Sequence, residues 1–399
     1  MKKSVIFLLL INLFSCAGDN AGVQTNNLEI ITLSEETYRE QPLLLSDYAT
    51  DIKYIRLETN DESLIKKIHK VVLFDKYCLV LDRDQEQIFI FDTLGNYSHK
   101  INRKGQGPGE YICINDFVVL DDSTICITDV CSGKFMRYSF SGTLLNETRA
   151  NHRPNRIAAL NGKYPVLMSI YGKRVLNDHY VLSVCDKSFK PVSKLINRKY
   201  DNLTAEDEKQ LPLHDGTFLE SNLDTLTVWE TTYDTIYRII DSATCIPRYY
   251  LDYTNKTPSY ITNDNDIIGK YKFIFYIFET ARYFFINLRD ENGAANWIIY
   301  DKYTHQGKRN KGIEHNYQYL GLINDLDGGW RFWPQGVVSE NSVYDYFYEY
   351  DMQEDLKRNK IIYKNALYPE RQKALYEKVK KSGIMDNPVI AIIECKNEK

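Results

Sequence analysis

Short apolar runs separated by polar turns recur along this chain, and their spacing carries most of what it reveals. The stretch CLVLDRDQEQIFIFDTLG (78–95) holds two such runs around a charged turn and ends in a D-x-x-G corner. The stretch ICITDVCSGKFMRYSFSG (125–142) repeats the layout. Asp82 aligns with Asp129, Phe91 with Tyr138 and Gly95 with Gly142, each 47 positions apart, and the same step joins Asp92, Ser139 and Asp186. Looser strand–turn–strand copies follow at 226–241 (LTVWETTYDTIYRIID), 297–307 (WIIYDKYTHQG) and 343–355 (VYDYFYEYDMQED). A period of roughly 40–50 residues built from short strands is the pattern of a β-propeller. The span from residue 48 to residue 395 accommodates about six such units, with seven also within reach. The predicted fold is all-β, a six-bladed β-propeller of four-stranded antiparallel blades.

Such a ring has to close. DYATDIKYIRLET (47–59) reads as a strand near the start, and NPVIAIIEC (387–395) as an apolar strand near the end. Placed in one blade, these N- and C-terminal strands clasp the ring and remove an exposed edge. One short C-terminal helix is expected over Pro369–Ser382. Pro369 suits its first position, Lys380 and Lys381 its last turn and Gly383 its stop, while Leu375 and Val379 share an inner face. It reads as a packing element on the rim.

The N-terminal pattern is different. MKKSVIFLLLINLFSC (1–16) sets Lys2 and Lys3 ahead of an apolar run too short to span a bilayer as a helix, which suits an export signal. Leu13-Phe14-Ser15-Cys16 resembles a bacterial lipobox, which implies a lipidated Cys16 and a membrane partner through that anchor. The small polar residues that follow read as a flexible tether. The expected organisation is a signal peptide over 1–15, lipidated Cys16 and tether over 16–27, and a single propeller domain over 28–399. Ala17 after Cys16 favours the outer membrane by analogy with other bacterial lipoproteins, with its face left open.

Composition removes several function classes. The 31 Tyr and 17 Phe favour strands. A net charge of −4 with interspersed charges carries no nucleic-acid footprint. The eight Cys form no C-x-x-C pair, so neither a zinc site nor a redox motif is expected. Cys78, Cys126 and Cys185 sit in apolar runs, where a thiol behaves as a small buried hydrophobe; a disulfide stays open for an exported chain. The chain has no H-E-x-x-H and no G-x-S-x-G, and its seven His are scattered. No catalytic residue, metal or cofactor is expected.

Five stretches together resemble the six-bladed, NHL-like β-propeller lipoproteins of Bacteroides-type gut bacteria: the lipobox, YIRLET (54–59), KGQGPGEY (104–111), NDLDGGWRFWP (324–334) and DNPVIAIIECK (386–396). The resemblance implies a six-bladed ring and an envelope address, and little about chemistry. Two of the stretches hold candidate ligand-binding residues. In NRKGQGPGEY (102–111) the glycine spacing misses the dinucleotide fingerprint, Pro108 interrupts the amide row, and a strand pattern follows where a helix is needed. The segment reads as a tight corner between consecutive blades, with Arg103, Lys104 and Glu110 as candidate contacts at one channel mouth. In the second stretch, Asp325, Asp327, Trp330, Arg331 and Trp333 are what a sugar-binding surface would use: ring faces to stack on and charged groups for hydroxyls. Packing of these aromatics between sheets is the competing reading, and the full calcium-loop pattern is absent.

The expected function is a non-catalytic, lipid-anchored binding module for a glycan, a peptide or an envelope protein. The alternative is a propeller enzyme of the lactonase, lyase or glycoside hydrolase kind, with acids from several blades meeting at the channel mouth. Convergence of three or more carboxylates or histidines there would favour the enzyme.

Overall fold

Six antiparallel sheets follow one another along the chain. The structure, a computed structural model, describes residues 15–16, 28–33, 38, 41–149, 154–169, 180–196, 217–222, 225–230, 234–254, 256, 270–311, 321–359, 363 and 365–398. Of these, 15–16, 154–155, 167–169, 180–181, 194–196, 217–222, 230 and 311 are described in backbone alone. The leader 1–14 and the tether 17–27 lie outside the described residues, as does the Cys16 side chain.

Blade 1 comprises Lys70–Phe74, Tyr77–Asp82, Gln87–Asp92 and Tyr97–Ile101. Blade 2 comprises Ile114–Val119, Thr124–Asp129, Lys134–Ser139 and Leu144–Arg149. Blade 3 runs from Pro154–Leu160 through Tyr164–Ser169 and Tyr180–Cys185 to Pro191–Ile196, with Ser15–Cys16 paired on its last strand. Blade 4 runs from Thr217–Asn222 through Thr225–Glu230 and Thr235–Ile239 to Cys245–Asp252. Blade 5 comprises Phe273–Glu279, Tyr283–Arg289, Ala295–Asp301 and Gln306–Lys311. Blade 6 joins the two ends of the chain: Gly336–Ser339, Ser342–Phe347, then Val389–Cys395, then Ala49–Arg56. Val389 faces Arg56 and Cys395 faces Ala49 across that last pairing. The first strands touch in a closed circuit from blade 1 round to blade 6 and back. The predicted six-bladed ring and its two-ended clasp are therefore both present.

The short apolar runs have a direct cause. A blade strand is buried on both faces, so its side chains serve two seams in alternation. Cys78 and Val80 pack toward blade 6 with Ile55, Tyr344 and Ile390. Leu79 and Leu81, between and beside them, pack toward blade 2 with Phe117, Ile125 and Tyr138. Cys126 likewise joins the blade 2–3 seam with Phe135, Ile157 and Cys185. Each fully buried Leu or Phe contributes about 1.5–3 kcal/mol, so the core is a belt of seams around the ring.

The D-x-x-G corners join the third and fourth strands. Asp92 accepts the amides of Leu94 and Asn96 at 2.9 Å each, and Gly95 turns the chain at φ +94. A Cβ at Gly95 would lie 2.0 Å from the Arg56 carbonyl oxygen, so glycine also permits the clasp strand to come close. Asp186 and Asp241 cap the matching corners of blades 3 and 4.

Three features depart from the expected pattern. Blade 4 takes a fifth, parallel strand, Glu29–Thr32, on its outer edge. Ile31 and Leu33 bury beside Tyr249 and Leu251, which covers that edge with apolar surface. Cys113 and Cys131 form a disulfide. The run read as strand–turn–strand over 343–355 stops as a strand at Phe347. Besides the single turn α1 (Leu45–Tyr48), Glu349–Lys357 forms a helix, α2, with Glu349 and Asp351 in its first turn and Lys357 in its last. The predicted C-terminal helix, α3 (Pro369–Lys381), has Pro at its start and buries Leu375 and Val379 against Met352 and Trp330. Both longer helices are inserted between the second and third strands of blade 6. Among the described residues no helix is long and apolar enough to cross a membrane.

Candidate functional site

The first strands of blades 1, 2, 3 and 6 enclose a cavity of about 470 Å³, with Phe278 of blade 5 completing the wall. Small side chains make the room: Val71, Val118, Ala158, Ala159 and Val337 line it. The charged groups in the wall are held by the fold. Lys70 Nζ donates to Asp116 Oδ1 at 2.7 Å and to the Phe117 carbonyl at 2.8 Å. Asp116, 3% exposed, also accepts the amides of Phe117 at 2.8 Å and Ile157 at 3.1 Å. This one carboxylate thus links blades 1, 2 and 3 beneath the cavity. Asp121 at the rim pairs with Lys187.

His69 also lines the cavity, beside Arg83. Its Nδ1 accepts the Arg83 amide at 3.1 Å, which leaves the proton on Nε2, 3.6 Å from Asp84. Burial and the Arg83 charge push its pKa down, so the ring is neutral near pH 7. His69, Asp82 and Asp84 could offer three ligand atoms within 4.8 Å of one another. Asp82, however, is engaged: it accepts the amides of Lys66 at 2.7 Å, Lys67 at 3.2 Å and Gln85 at 3.2 Å. Its repeat partner Asp129 does the same for Ile112, Cys113, Cys131 and Ser132. The aligned pair is a latch tying each blade's second strand to the segment entering its first.

A second ionic cluster joins blades 4 and 5. Glu279, 3% exposed, accepts from Arg238 at 2.6 Å, Lys302 at 2.8 Å and Thr227. Burial alone would raise its pKa, but the two cations hold it below the usual carboxylate value. Nothing in the spacing of 227, 238, 279 and 302 pointed to this cluster; cross-strand register makes it.

The candidates from the sequence divide into two sets. Residues 102–113 do join consecutive blades. Arg103 and Lys104 are exposed, and Arg103 reaches the Gly142 carbonyl at 3.3 Å on the outer corner of blade 2. Glu110 folds back onto the Gly107 amide at 2.8 Å. None of the three lines the central cavity. In the second set, Asp325 accepts the Ser46 amide at 2.8 Å, and Asp327 accepts from Asn324 at 2.8 Å and Gly329 at 3.0 Å. Trp330 is packed among Phe347, Tyr376 and Met352, and Trp333 against Phe285 and Trp297. Arg331 points to the Gly321 carbonyl at 3.4 Å. The open aromatic face expected there is absent, because rings with this much apolar area are worth more buried between seams than exposed.

A family model described as a domain of unknown function, DUF4934, matches residues 28–394. Among solved structures the chain is similar to a Bacteroides fragilis protein described as exported, at 17% identity over 92% of this chain and 100% of that one, with a TM-score of 0.71. It is also similar to a DUF4221 member from Bacteroides vulgatus, at 9% identity over 87% of this chain and 97% of that one, with a TM-score of 0.49. Virginiamycin B lyase from Staphylococcus aureus follows at 11% identity over 74% of this chain and 82% of that one, with a TM-score of 0.42. No curated protein matches the chain in sequence.

Proposed function

The chain belongs to the DUF4934 family, a domain of unknown function, and on that premise we propose a lipid-anchored module of the cell envelope whose central cavity binds a glycan or a peptide end without converting it. The observation that carries this reading is the state of Asp116. A general base has to reach its substrate, and Asp116 is tied down by Lys70 and two amides, which fill three of a carboxylate's four acceptor positions and hold it as one half of a buried ion pair. The cavity is then a rigid, half-apolar container with fixed polar points, which suits recognition. The lipobox at Cys16 supports the envelope address, and the description of the B. fragilis neighbour as exported agrees with it.

Two experiments test the reading. Cys16→Ala should move the protein from the membrane fraction to the soluble fraction; retention on the membrane would remove the anchor. Residues 21–399 should gain thermal stability with at least one glycan, sugar acid or short peptide, since binding to the folded state stabilises it by mass action. Arg156→Ala and Val337→Trp, both in the cavity wall, should abolish that gain. The runner-up is a propeller enzyme, favoured by the His69, Asp82 and Asp84 grouping. Stabilisation by zinc or manganese that is lost in His69→Ala would move the assignment to it.

A further inference from the structure

The central cavity has two unlike ends. At one of them the first strands of blades 1, 2 and 3 begin, and Asp116 ties them together. Lys70 of blade 1 donates to its Oδ1 at 2.7 Å, and the Ile157 amide of blade 3 donates to its Oδ2 at 3.1 Å. Two guanidinium-bearing residues flank that carboxylate. Arg156 directly precedes Ile157, and the Arg83 amide is held at 3.1 Å by His69, the neighbour of Lys70. Both arginines are half-buried, and both line the cavity. At the opposite end the strands run out into turns. There the Asp121 amide donates to the Gly162 carbonyl at 2.8 Å, and the Asp121 carboxylate meets Lys187 from outside the wall. The aliphatic stretch with Val118, Ala158 and Val337 lies between.

Among the described residues the wall holds three cations, Lys70, Arg83 and Arg156, and two carboxylates, Asp116 and Asp121. The Lys70–Asp116 pair is neutral as a whole, and Asp121 belongs to the far end. Asp82 and Asp84, beside His69, do not line the cavity. The charge that the described wall presents where the strands begin is therefore that of Arg83 and Arg156. In a chain of net charge −4 this end is a positive site between apolar walls, which focus its field on an anion. Both arginines already make contacts of their own, but a guanidinium carries five N–H donors in a planar fork and can grip a carboxylate as well.

We propose that the cavity selects a uronic acid, with its carboxylate between Arg83 and Arg156 and its ring along the aliphatic stretch. This rests on the binding reading above and names the ligand class. A pyranose ring offers C–H faces to Val118, Ala158 and Val337. Its hydroxyls both donate and accept, so they can reach Gln335 at the near end and Asp121 at the far one. A hydrocarbon acid would satisfy the cations and leave those two unmet.

The test is titration calorimetry with matched pairs that differ only at the acid group: glucuronate against glucose and galacturonate against galactose, with dialanine as a third probe. At least one uronate is expected to bind about tenfold or more tighter than its neutral partner, and to weaken as ionic strength rises. Arg83→Gln and Arg156→Gln remove one charge each and should each erase most of that preference. If neither variant folds, the acid-to-neutral ratio of the parent decides. Val337→Trp fills the cavity and should abolish uronate binding; binding that survives it places the ligand elsewhere and overturns the proposal. Equal binding of acid and neutral sugars overturns it and leaves the cavity reading standing. So does a uronate preference that both folded arginine variants retain, or binding of dialanine alone. No binding of any probe by the parent removes both readings.

Discussion

Residues 102–113 join blade 1 to blade 2, and residues 321–334 join blade 5 to blade 6. Both segments combine glycines with charges, and they fold in opposite senses. The first closes on itself with polar bonds: Glu110 takes the Gly107 amide, Lys134 Nζ reaches the Gly107 and Glu110 carbonyls at 3.0 Å each, and Glu147 takes the Gly109 amide at 2.7 Å. The Cys113–Cys131 disulfide pins its end. The second turns inward and delivers Trp330, Phe332 and Trp333 to two seams. The difference lies in the aromatic content of the second segment. The first connection buries its one ring, Tyr111, in the blade 1–2 seam and holds the rest of its length by hydrogen bonds, whereas the second buries three rings.

Trp333→Ala should cost about 3–5 kcal/mol in urea unfolding, as deletion of a buried ring does; a loss below about 1 kcal/mol would mean that the segment is not part of the core. Asp345, which holds the Trp333 amide, gives the next effect. Burial pushes its carboxyl up from 3.8 to about 7. The folded state therefore keeps a proton that the unfolded chain has released, so this contribution to stability is whole below about pH 4 and falls as pH rises to about 7. Asp345→Asn should gain roughly 3–4 kcal/mol over the parent across that window; parallel stability–pH curves would contradict the assignment. In the other connection, Cys113→Ser should cost about 3 kcal/mol, and the parent in reductant should match the variant. The mildest test is Gly109→Ala. Gly109 sits at φ +68 with a would-be Cβ 2.9 Å from Leu144 Cδ2, so about 1–2 kcal/mol is expected in the chemical midpoint.

Much of this was legible in the sequence, for physical reasons that differ by element. The runs at 78–81 and 88–91 announce strands buried on two faces, and the 47-residue step between Asp82 and Asp129 announces the blade repeat. Gly95 and Asp92 announce a corner because only that chemistry makes one so short. What was not legible depends on register and closure. The Cys113–Cys131 pairing follows from where the blade 2 entry meets its first hairpin, which eighteen residues of spacing do not specify. Glu349–Lys357 carried too many aromatic neighbours to look like a helix. Residue type marks Trp330 and Trp333 as rings able to stack, but it does not say which side of a ring is covered, and both are buried.

The clasp has one more consequence, and it concerns time. The third strand of blade 6 is Val389–Cys395, laid between a strand made shortly before it and one made near the beginning, Ala49–Arg56. During synthesis, which runs from the N-terminus at about 5–20 residues per second, the earlier blades can form, but strand 49–56 has nothing to pair with until residue 395 emerges. Throughout that interval the molecule is an open arc with one blade unfinished. Among the described residues, the last strand to be made is the one that locks the ring.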